Sequence, residues 1–313
     1  MISFVFPGQG SQQVGMGKAL CDAFPYVRDR FAEANQALGF ALSTLCFEGP
    51  DSELVRTQNT QPALLVCSVA AADVLRRELG LVPALAAGHS LGEYSALVTA
   101  GSLAFDDAVR LVHLRGRFMQ EAVPEGLGAM AAIIGLDPKT IADFCQQASG
   151  EDGSCQPANE NGAGQIVISG HRPAVERVMG LAKQAGSKMC KLLAVSAPFH
   201  SPLMQPAADL LRDELGRVAC RAPMFPVIAN IDAEPYPTVD ADGAGVRERL
   251  YRQVAGTVRW EGCVHKLAAL GATSAIEVGP GKVLSGLIKR IESSIALHQF
   301  ADPSGLEALR PLA

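Results

Sequence analysis

The sequence predicts an α/β protein in which a large subdomain with a mainly parallel sheet carries a small inserted subdomain. Short apolar runs of buried-strand length alternate with stretches of helical periodicity along most of the 313 residues. One such run leads into a glycine-flanked serine and then a helix, which is the order of a strand-to-helix turn in a parallel sheet. Residues 127–195 change to a βαββαβ order, which predicts a separate small unit.

Composition is that of an ordinary globular protein. Hydrophobic residues make up 48% and charged residues 19%, and the formal net charge of −5 gives no basic surplus for nucleic acid. No segment approaches the roughly 18 apolar residues of a membrane helix, and the N-terminus lacks a basic signal-peptide region, so we expect a cytoplasmic protein. The cysteines show no C-x-x-C spacing, and we expect reduced, mostly buried thiols and no metal site.

The first elements are a strand, a glycine-rich loop and a series of helices. The strand is predicted over 2–6, and the loop after it is Pro7–Gln12. This loop matches neither G-x-G-x-x-G nor a P-loop, so it either presents backbone N–H groups to an anion or is a plain turn. Helical patterns follow over 14–38, with a break at Phe24-Pro25, and over 59–79, where the nearly continuous apolar run predicts a buried helix.

The candidate nucleophile lies in the stretch Gly88-His89-Ser90-Leu91-Gly92. It fits the G-x-S-x-G pattern, in which a serine occupies a sharp turn between a strand and a helix. An apolar run over 81–87 precedes it, and apolar residues at helical spacing follow it as far as Gly101. We therefore expect Ser90 to be a nucleophile, although the same pattern also fits a glycine-flanked turn with an inert serine.

An arginine occupies the apolar face of the next helix, which is predicted from Phe105 to about Ala122. Arg115 shares that face with Leu111 and Phe118. A buried arginine needs an anionic partner. A buried Asp or Glu of the protein would serve, and so would the carboxylate of a substrate, which the planar guanidinium binds through two hydrogen bonds. The sequence leaves both partners open.

The inserted subdomain is predicted over 127–195, so that 1–126 and 196–313 form the large subdomain. Its βαββαβ order is the ferredoxin-like pattern. The predicted elements of the insertion are strands 129–134, 153–158, 165–169 and 188–195 and helices 138–148 and 173–185. The elements predicted after it are strands 225–228 and 274–278, helices 203–218, 246–254, 261–270 and 282–291, and a terminal helix after 302.

His200 stands where the chain returns from the insertion to the large subdomain, a place where clefts form. A serine followed later in the chain by a histidine is the order of α/β-hydrolase-like enzymes, so we expect that architecture for the large subdomain and a base at His200. The side chain of His89 should diverge from its neighbour Ser90. His113 is expected on a polar helix face, and exposed helix or loop positions are expected for His171, His265 and His298.

Taken together, these motifs closely resemble the malonyl-CoA:acyl carrier protein transacylases of type II fatty acid synthesis. The resemblance covers essentially the whole chain, and it rests on the order of the motifs because each alone is weak. Besides the serine motif and the late histidine, they are Gly8-Gln9-Gly10-Ser11-Gln12, Arg115-Gly116-Arg117-Phe118-Met119-Gln120 and Glu277-Val278-Gly279-Pro280-Gly281.

The resemblance implies the substrate, the partner and the residue roles. It implies malonyl-CoA as acyl donor and acyl carrier protein as partner, a monomer, and no cofactor, nucleic acid or membrane. Ser90 matches the acyl-accepting nucleophile, His200 its base and Arg115 the clamp on the malonyl carboxylate. The residues matched for their backbone groups are Gln9 and Leu91, whose N–H groups form an oxyanion hole, and Gln253, whose carbonyl orients the histidine.

Other functions fit parts of the pattern. A serine hydrolase or thioesterase shares the turn and His200, and the malonyl-transfer subunit of a malonate decarboxylase is a close relative. A non-enzymatic scaffold that binds the carrier protein would not need Ser90, Arg115 and His200 together. No acidic partner for His200 stands out, which favours a Ser-His dyad held by a backbone carbonyl over a full triad.

Overall fold

The computed structural model describes residues 1–151, 153–240 and 242–313. Its strands are β1 (Ile2–Phe6), β2 (Leu85–Gly88), β3 (Gly128–Ile134), β4 (Cys155–Glu160), β5 (Gln165–His171), β6 (Met189–Leu192), β7 (Val227–Ile228), β8 (Ser274–Val278) and β9 (Ala296–Phe300). Its α-helices are α1 (Lys18–Ala23), α2 (Pro25–Leu38), α3 (Leu42–Glu48), α4 (Asp51–Leu54), α5 (Thr57–Leu79), α6 (Leu91–Thr99), α7 (Phe105–Glu121), α8 (Pro138–Ala148), α9 (Arg172–Gln184), α10 (Gln205–Gly216), α11 (Ala244–Ala255), α12 (Trp260–Ala269), α13 (Val283–Ile291) and α14 (Leu306–Leu309). Short 3₁₀ helices cover Pro202–Met204, Pro303–Gly305 and Arg310–Leu312.

The larger sheet has the strand order β7-β2-β1-β8-β9, and every neighbouring pair in it is parallel. The central strand β1 and its neighbour β8 are buried along almost their whole length, as parallel strands are when helices cover both faces. The predictions at 2–6 and 274–278 are confirmed at those bounds. The strand predicted over 81–87 begins at Leu85 instead, because Pro83 has no N–H to donate to a neighbouring strand.

Several elements of the large unit differ from the prediction. The edge strand β9 is not predicted by the sequence analysis, because most of its residues are exposed or half-buried and the apolar signal is weak. The helices α3 and α4 are also missed, since runs of 7 and 4 residues are too short to show a helical period. The strand predicted over 225–228 narrows to Val227–Ile228, after Pro226.

The smaller sheet is antiparallel and has the strand order β4-β5-β3-β6. The chain passes through it as β3, α8, β4, β5, α9 and β6, so the predicted βαββαβ order is confirmed. The helices α8 and α9 pack against each other and against this sheet, and their apolar residues form a core of their own. The last strand is shorter than the predicted 188–195.

The longest helix, α5, is almost continuously buried and packs against α6 and α7. It begins at Thr57 rather than at the predicted 59, so Pro62 lies inside the helix. A proline has no N–H, which leaves the carbonyl oxygen of Gln58 without its helical partner. His113 on α7 lies within hydrogen-bond distance of that oxygen, with its Nδ1 at 2.9 Å, and this contact ties the two helices together.

Three properties of the described residues bear on the expectations drawn from the composition. Within the described ranges, no helix is both long enough and apolar enough to cross a membrane. The cysteines are free thiols, and all are buried apart from the half-buried Cys190, which agrees with the predicted burial. The same ranges contain no cluster of His, Cys, Asp and Glu side chains that could hold a metal ion.

Candidate active site

Ser90 occupies a strained turn between β2 and α6. Its φ of 52° and ψ of −102° lie in a region that non-glycine residues rarely adopt. The flanking glycines are required by space: a Cβ on Gly88 would lie 1.9 Å from the carbonyl carbon of Gly92, and one on Gly92 would lie 2.1 Å from the oxygen of Phe6. The G-x-S-x-G motif therefore has the strand-to-helix context that the sequence predicts.

Two amide side chains hold this turn on its main-chain atoms. Asn230 Oδ1 accepts a hydrogen bond from the backbone N–H of Ser90 at 2.7 Å, and Asn230 Nδ2 donates to the carbonyl oxygen of Gly88 at 2.7 Å. Gln253 Nε2 donates to the carbonyl oxygen of Ser90 at 2.9 Å. These bonds replace the backbone hydrogen bonds of strand and helix at the point where the chain turns, so they offset part of the strain.

His200 lies beside the serine hydroxyl, with its Nε2 atom 2.8 Å from Ser90 Oγ. Its other ring nitrogen, Nδ1, faces the carbonyl oxygens of Gln253 at 2.9 Å and Gly256 at 3.1 Å. Because a carbonyl oxygen only accepts, Nδ1 carries the proton and Nε2 is free to accept one from the serine. Backbone carbonyls thus occupy the position that a carboxylate takes in a Ser-His-Asp triad.

The surroundings of His200 keep it neutral. The imidazole is buried, and burial together with the positive charge of Arg115 lowers its pKa from 6.5 to about 3. A neutral imidazole with a free Nε2 atom is the form that acts as a general base. At neutral pH His200 is therefore in the protonation state needed to remove the serine proton.

Arg115 points from α7 into the site and is only 2% exposed. Its guanidinium donates to neutral partners: Nη1 to Gln61 Oε1 at 2.8 Å, and Nη2 to Gln253 Oε1 at 2.9 Å and to Ser90 Oγ at 3.2 Å. Among the residues that the structure describes, its Nε has no hydrogen-bond partner. Burial lowers its pKa below that of an ordinary arginine.

The structural ion pair that the sequence left open for Arg115 does not form. No Asp or Glu of the described residues pairs with the guanidinium. Glu93 interacts with it electrostatically, but the side chain of Gln253 lies between them, bonded to both. An arginine with only neutral protein partners, next to a serine hydroxyl, is suited to receive the carboxylate of a bound molecule.

The loop after β1 lies against the serine turn. A Cβ on Gly8 would be 2.4 Å from the carbonyl oxygen of His89, so only glycine lets the loop approach so closely. This approach brings Gln9 into the cleft at Ser90. Leu91 follows the serine as the first residue of α6. Within the described part of the chain, the backbone N–H groups of Gln9 and Leu91 donate to no other residue, and they are thus available to an oxyanion.

These residues line a cleft of about 160 Å³ between the elements of the two sheets. The smaller sheet contributes Met130 and Asn159 to its wall. A larger cavity of about 420 Å³, which includes Phe4 and Met224, contains none of the groups described above. Chemistry rather than volume therefore identifies the candidate site. The cleft is lined by Gln9, Gln61, His89, Ser90, Arg115, Met119, Met130, Asn159, Leu193, Val195, Phe199 and His200.

The remaining histidines contact other groups, although His89 lines the cleft. The side chain of His89 does diverge from Ser90, since its Nε2 is 2.9 Å from Asn161 Oδ1, and burial lowers its pKa. His265 is exposed, as predicted. The expectation of exposed helix or loop positions is wrong for His171 and His298, which are both half-buried in strands. His171 is the last residue of β5, and His298 is the middle residue of β9.

The sequence analysis misses several polar side chains of the site. Glu93, Asn230 and Tyr236 form a buried group behind the serine turn, and Gln61 bonds to Arg115. For Gln253 the analysis uses only the carbonyl, whereas its side chain also bonds to Arg115, Glu93 and Ser90. Glu93 stands next to the motif in sequence, but nothing in the sequence indicates what its carboxyl contacts.

A serine on a strained strand-to-helix turn, beside a neutral histidine and two free backbone N–H groups, defines the class of enzymes that form an acyl-serine. The family model described as "Acyl transferase domain" matches residues 3–298. The chain therefore belongs to the acyl transferase domain family and is an acyltransferase.

Individual relatives match the chain over nearly its whole length. The malonyl CoA-acyl carrier protein transacylase of Escherichia coli K12 is 50% identical over 98% of this chain and 97% of its own. The crystal structure of an acyl carrier protein S-malonyltransferase from Vibrio cholerae superposes with a TM-score of 0.94 at 46% identity, covering 98% of this chain and 99% of that one. A malonyl-transacylase solved in complex with a type II PKS acyl-carrier protein has a TM-score of 0.94 at 44% identity, covering 100% and 99%.

Proposed function

We propose that the protein transfers the malonyl group of malonyl-CoA to the phosphopantetheine thiol of an acyl carrier protein, through a malonyl ester on Ser90, and so supplies fatty acid synthesis. The observation that carries this proposal is the buried guanidinium of Arg115, whose Nη2 lies 3.2 Å from Ser90 Oγ. In a malonyl group, one methylene separates the carboxylate from the thioester carbonyl. The carboxylate can therefore bind the guanidinium while the carbonyl carbon lies next to Ser90 Oγ. The similar malonyl-transacylase solved with an acyl-carrier protein supports the proposed partner.

In the first half-reaction, His200 Nε2 takes the proton of Ser90 Oγ, and the oxygen attacks the thioester carbonyl of malonyl-CoA. The negative charge that develops on the carbonyl oxygen is stabilised by the N–H groups of Gln9 and Leu91. The tetrahedral intermediate collapses, the C–S bond breaks, and the CoA sulfur leaves with the proton from His200. Gln253 carbonyl oxygen keeps the imidazole oriented through its bond to Nδ1.

In the second half-reaction, the thiol of the carrier protein takes the place of CoA. His200 removes the thiol proton, the sulfur attacks the malonyl ester, and the proton returns to Ser90 Oγ as the C–O bond breaks. Water would give free malonate by the same route, so the apolar part of the cleft has to disfavour water while the thiol is bound. Phe199, Met119 and Met130 are among the apolar residues of that wall.

Selection of the acyl group follows from Arg115. A malonyl carboxylate supplies the anionic partner that the guanidinium lacks, whereas an acetyl group would leave it buried and uncompensated. Acetyl-CoA is thus disfavoured because it leaves the guanidinium unpaired. Sites that bind a polar group of their substrate generally reject analogues that lack this group for the same reason.

We also infer that 1–126 and 196–313 form an α/β-hydrolase-like subdomain and 127–195 a ferredoxin-like one. The parallel sheet with its serine turn supports the first assignment. For the second, the βαββαβ chain order and the antiparallel strand order β4-β5-β3-β6 are those of the ferredoxin-like pattern. A monomeric state and a cytoplasmic location stay predictions.

The experiment is malonyl transfer from malonyl-CoA to a holo carrier protein, with acetyl-CoA and methylmalonyl-CoA as competing donors. We expect malonyl-carrier protein as the main product and much slower acetyl transfer. Release of free malonate at the same rate without carrier protein would identify a hydrolase instead. Binding of the carrier protein without any transfer would leave only a scaffold.

A further inference from the structure

Glu93 is a fully buried carboxyl group directly behind the serine turn. It lies in the first turn of α6, three residues after Ser90. One oxygen accepts a hydrogen bond from the Tyr236 hydroxyl, and the other accepts from the backbone N–H of Asn230 at 3.0 Å and from Gln253 Nε2 at 2.7 Å. The catalytic steps described above use none of these contacts, yet a carboxyl group is expensive to bury.

Two of the partners of Glu93 hold different parts of the site. Asn230 contacts the serine turn from both sides, through the N–H of Ser90 and the carbonyl of Gly88. Gln253 contacts the base and the clamp, because its carbonyl oxygen faces His200 Nδ1 and its side-chain oxygen accepts from Arg115 Nη2. Within the described part of the chain, the carboxyl group of Glu93 is the one acceptor that both share.

The Gln253 amide is oriented by the acceptors of its Nε2 donor, which are Glu93 Oε2 at 2.7 Å and the carbonyl oxygen of Ser90 at 2.9 Å. An amide group has one accepting and one donating end, and Arg115 needs the accepting end. Glu93 Oε2 accepts from the donating end, which turns Oε1 towards the guanidinium. A rotated amide would instead present its NH₂ group to the Nη2 donor of Arg115. The same amide keeps the carboxyl of Glu93 from pairing directly with Arg115 and neutralising it.

We propose that Glu93 is a positioning residue for malonyl selection, which acts by fixing the Gln253 amide between itself and Arg115. This inference rests on the function proposed above. It assigns to Glu93 no contact with the substrate. Its effect on selectivity passes through Gln253, and its bond to Asn230 supports the serine turn separately.

The test measures the ratio of kcat/KM for malonyl-CoA over acetyl-CoA in Glu93→Leu and Glu93→Gln. The leucine removes the closer of the two acceptors of Gln253 Nε2, so we expect the ratio to fall about 10- to 100-fold, the cost of a mispaired buried hydrogen bond to a charged group. The glutamine keeps one oxygen that accepts from Gln253 and Asn230, so it should retain most of the ratio. Because the ratio is independent of the amount of folded enzyme, a loss of stability alone does not change it.

Glu277 provides a matched control. It is equally buried, and its oxygens accept from the N–H groups of Leu284 and Ser285 at 3.0 and 2.7 Å, away from the serine, the histidine and the arginine. Glu277→Leu should lower the melting temperature and leave the ratio unchanged.

A double-mutant cycle with Gln253→Leu tests the route of the effect. If Glu93 acts through Gln253, Glu93→Leu lowers the ratio no further in the Gln253→Leu background. An unchanged ratio in Glu93→Leu, or effects of the two changes that add, would overturn the inference. A wild-type protein that transfers no malonyl group would overturn the proposed function itself, and this result is obtained before any variant is made.

Discussion

Replacement of Arg115 by methionine should abolish the preference for malonyl over acetyl groups. The guanidinium is buried, its protein partners are neutral, and it lies within 3.2 Å of the nucleophile. Methionine fills a similar volume without charge. A bound malonyl carboxylate would then lie in a buried site without its cation, whereas an acetyl methyl group would meet an apolar side chain.

The size of the effect follows from the burial. Removal of one partner from a buried ion pair costs about 3–5 kcal/mol, and we take about 3 kcal/mol because one side of the cleft is open to water. At about 1.36 kcal/mol per factor of ten, kcat/KM for malonyl-CoA should fall roughly 150-fold. The value for acetyl-CoA should hold or rise, since an unpaired buried charge no longer opposes it.

The assay is competition between malonyl-CoA and acetyl-CoA for transfer to one holo carrier protein. Arg117→Met is the matched control, because this arginine is exposed on the same helix and should leave the ratio unaltered. A methionine variant at position 115 that still prefers malonyl-CoA by the wild-type margin would refute the clamp assignment.

Further predictions concern pH and packing. With the pKa of His200 at about 3, acylation by Glu93→Gln, which has no titrating carboxyl behind the serine turn, should show no fall near pH 6.5. A fall of its rate at that pH would contradict the neutral base. As pH drops from 6.5 towards 3, the unfolded chain binds a proton there that the folded chain does not, so this group lowers stability in that range. Burial raises the pKa of Glu93 from 4.5 to about 7, so between these pH values the folded chain binds a proton that the unfolded chain does not. The free energy of unfolding should therefore fall as pH rises from 4.5 to 7, by about 3 kcal/mol at about 1.36 kcal/mol per pKa unit. Urea titrations give the free energy of unfolding at pH 5 and at pH 8, and the difference between the two should be smaller in Glu93→Gln than in the wild type. The same difference in both proteins would contradict this prediction. In chemical denaturation, Gly92→Ala should fail to fold or lose more than about 3 kcal/mol of unfolding free energy, because its Cβ would lie 2.1 Å from the Phe6 oxygen. Gly286→Ala is the control: its Cβ would have no neighbour within 4 Å, so this variant should be at least as stable as the wild type.

The catalytic candidates could be predicted because their signals are local. Ser90 stands in a motif whose glycines are required by the turn itself, and Arg115 interrupts an apolar helix face. His200 is less local, but the return from the insertion marks a cleft. The structure places His200 and Arg115 each within hydrogen-bond distance of Ser90 Oγ, at 2.8 and 3.2 Å.

The support around them could not be predicted, because it depends on contacts between distant parts of the chain. Gln253 lies 160 residues from Glu93 and 138 from Arg115, and no spacing rule links them. Asn230 lies 140 residues from the serine whose N–H it binds. The sequence also could not decide whether Arg115 pairs with a protein carboxylate, since the answer depends on the neutral amide between it and Glu93.

In the fold, too, the elements with a local sequence signal could be predicted and those that depend on long-range contacts could not. Strands buried on both faces, such as β1 and β8, are marked by continuous apolar runs and were placed at their observed bounds. The edge strand β9 is held by pairing with β8 more than by burial of its own side chains, so its sequence carries little signal. The helix α5 begins two residues before the predicted start and includes Pro62, and a sequence pattern could not show that His113 lies within hydrogen-bond distance of the Gln58 oxygen that this proline leaves without a helical donor.

The most direct test of the central claim is the mass of the intact protein after mixing with malonyl-CoA. We expect the wild-type mass to rise by one malonyl group, the peptide containing Ser90 to carry it, and added holo carrier protein to remove it as malonyl-carrier protein. Ser90→Ala should gain no mass. A malonyl group on the alanine variant, or on a peptide that lacks residue 90, would contradict the account.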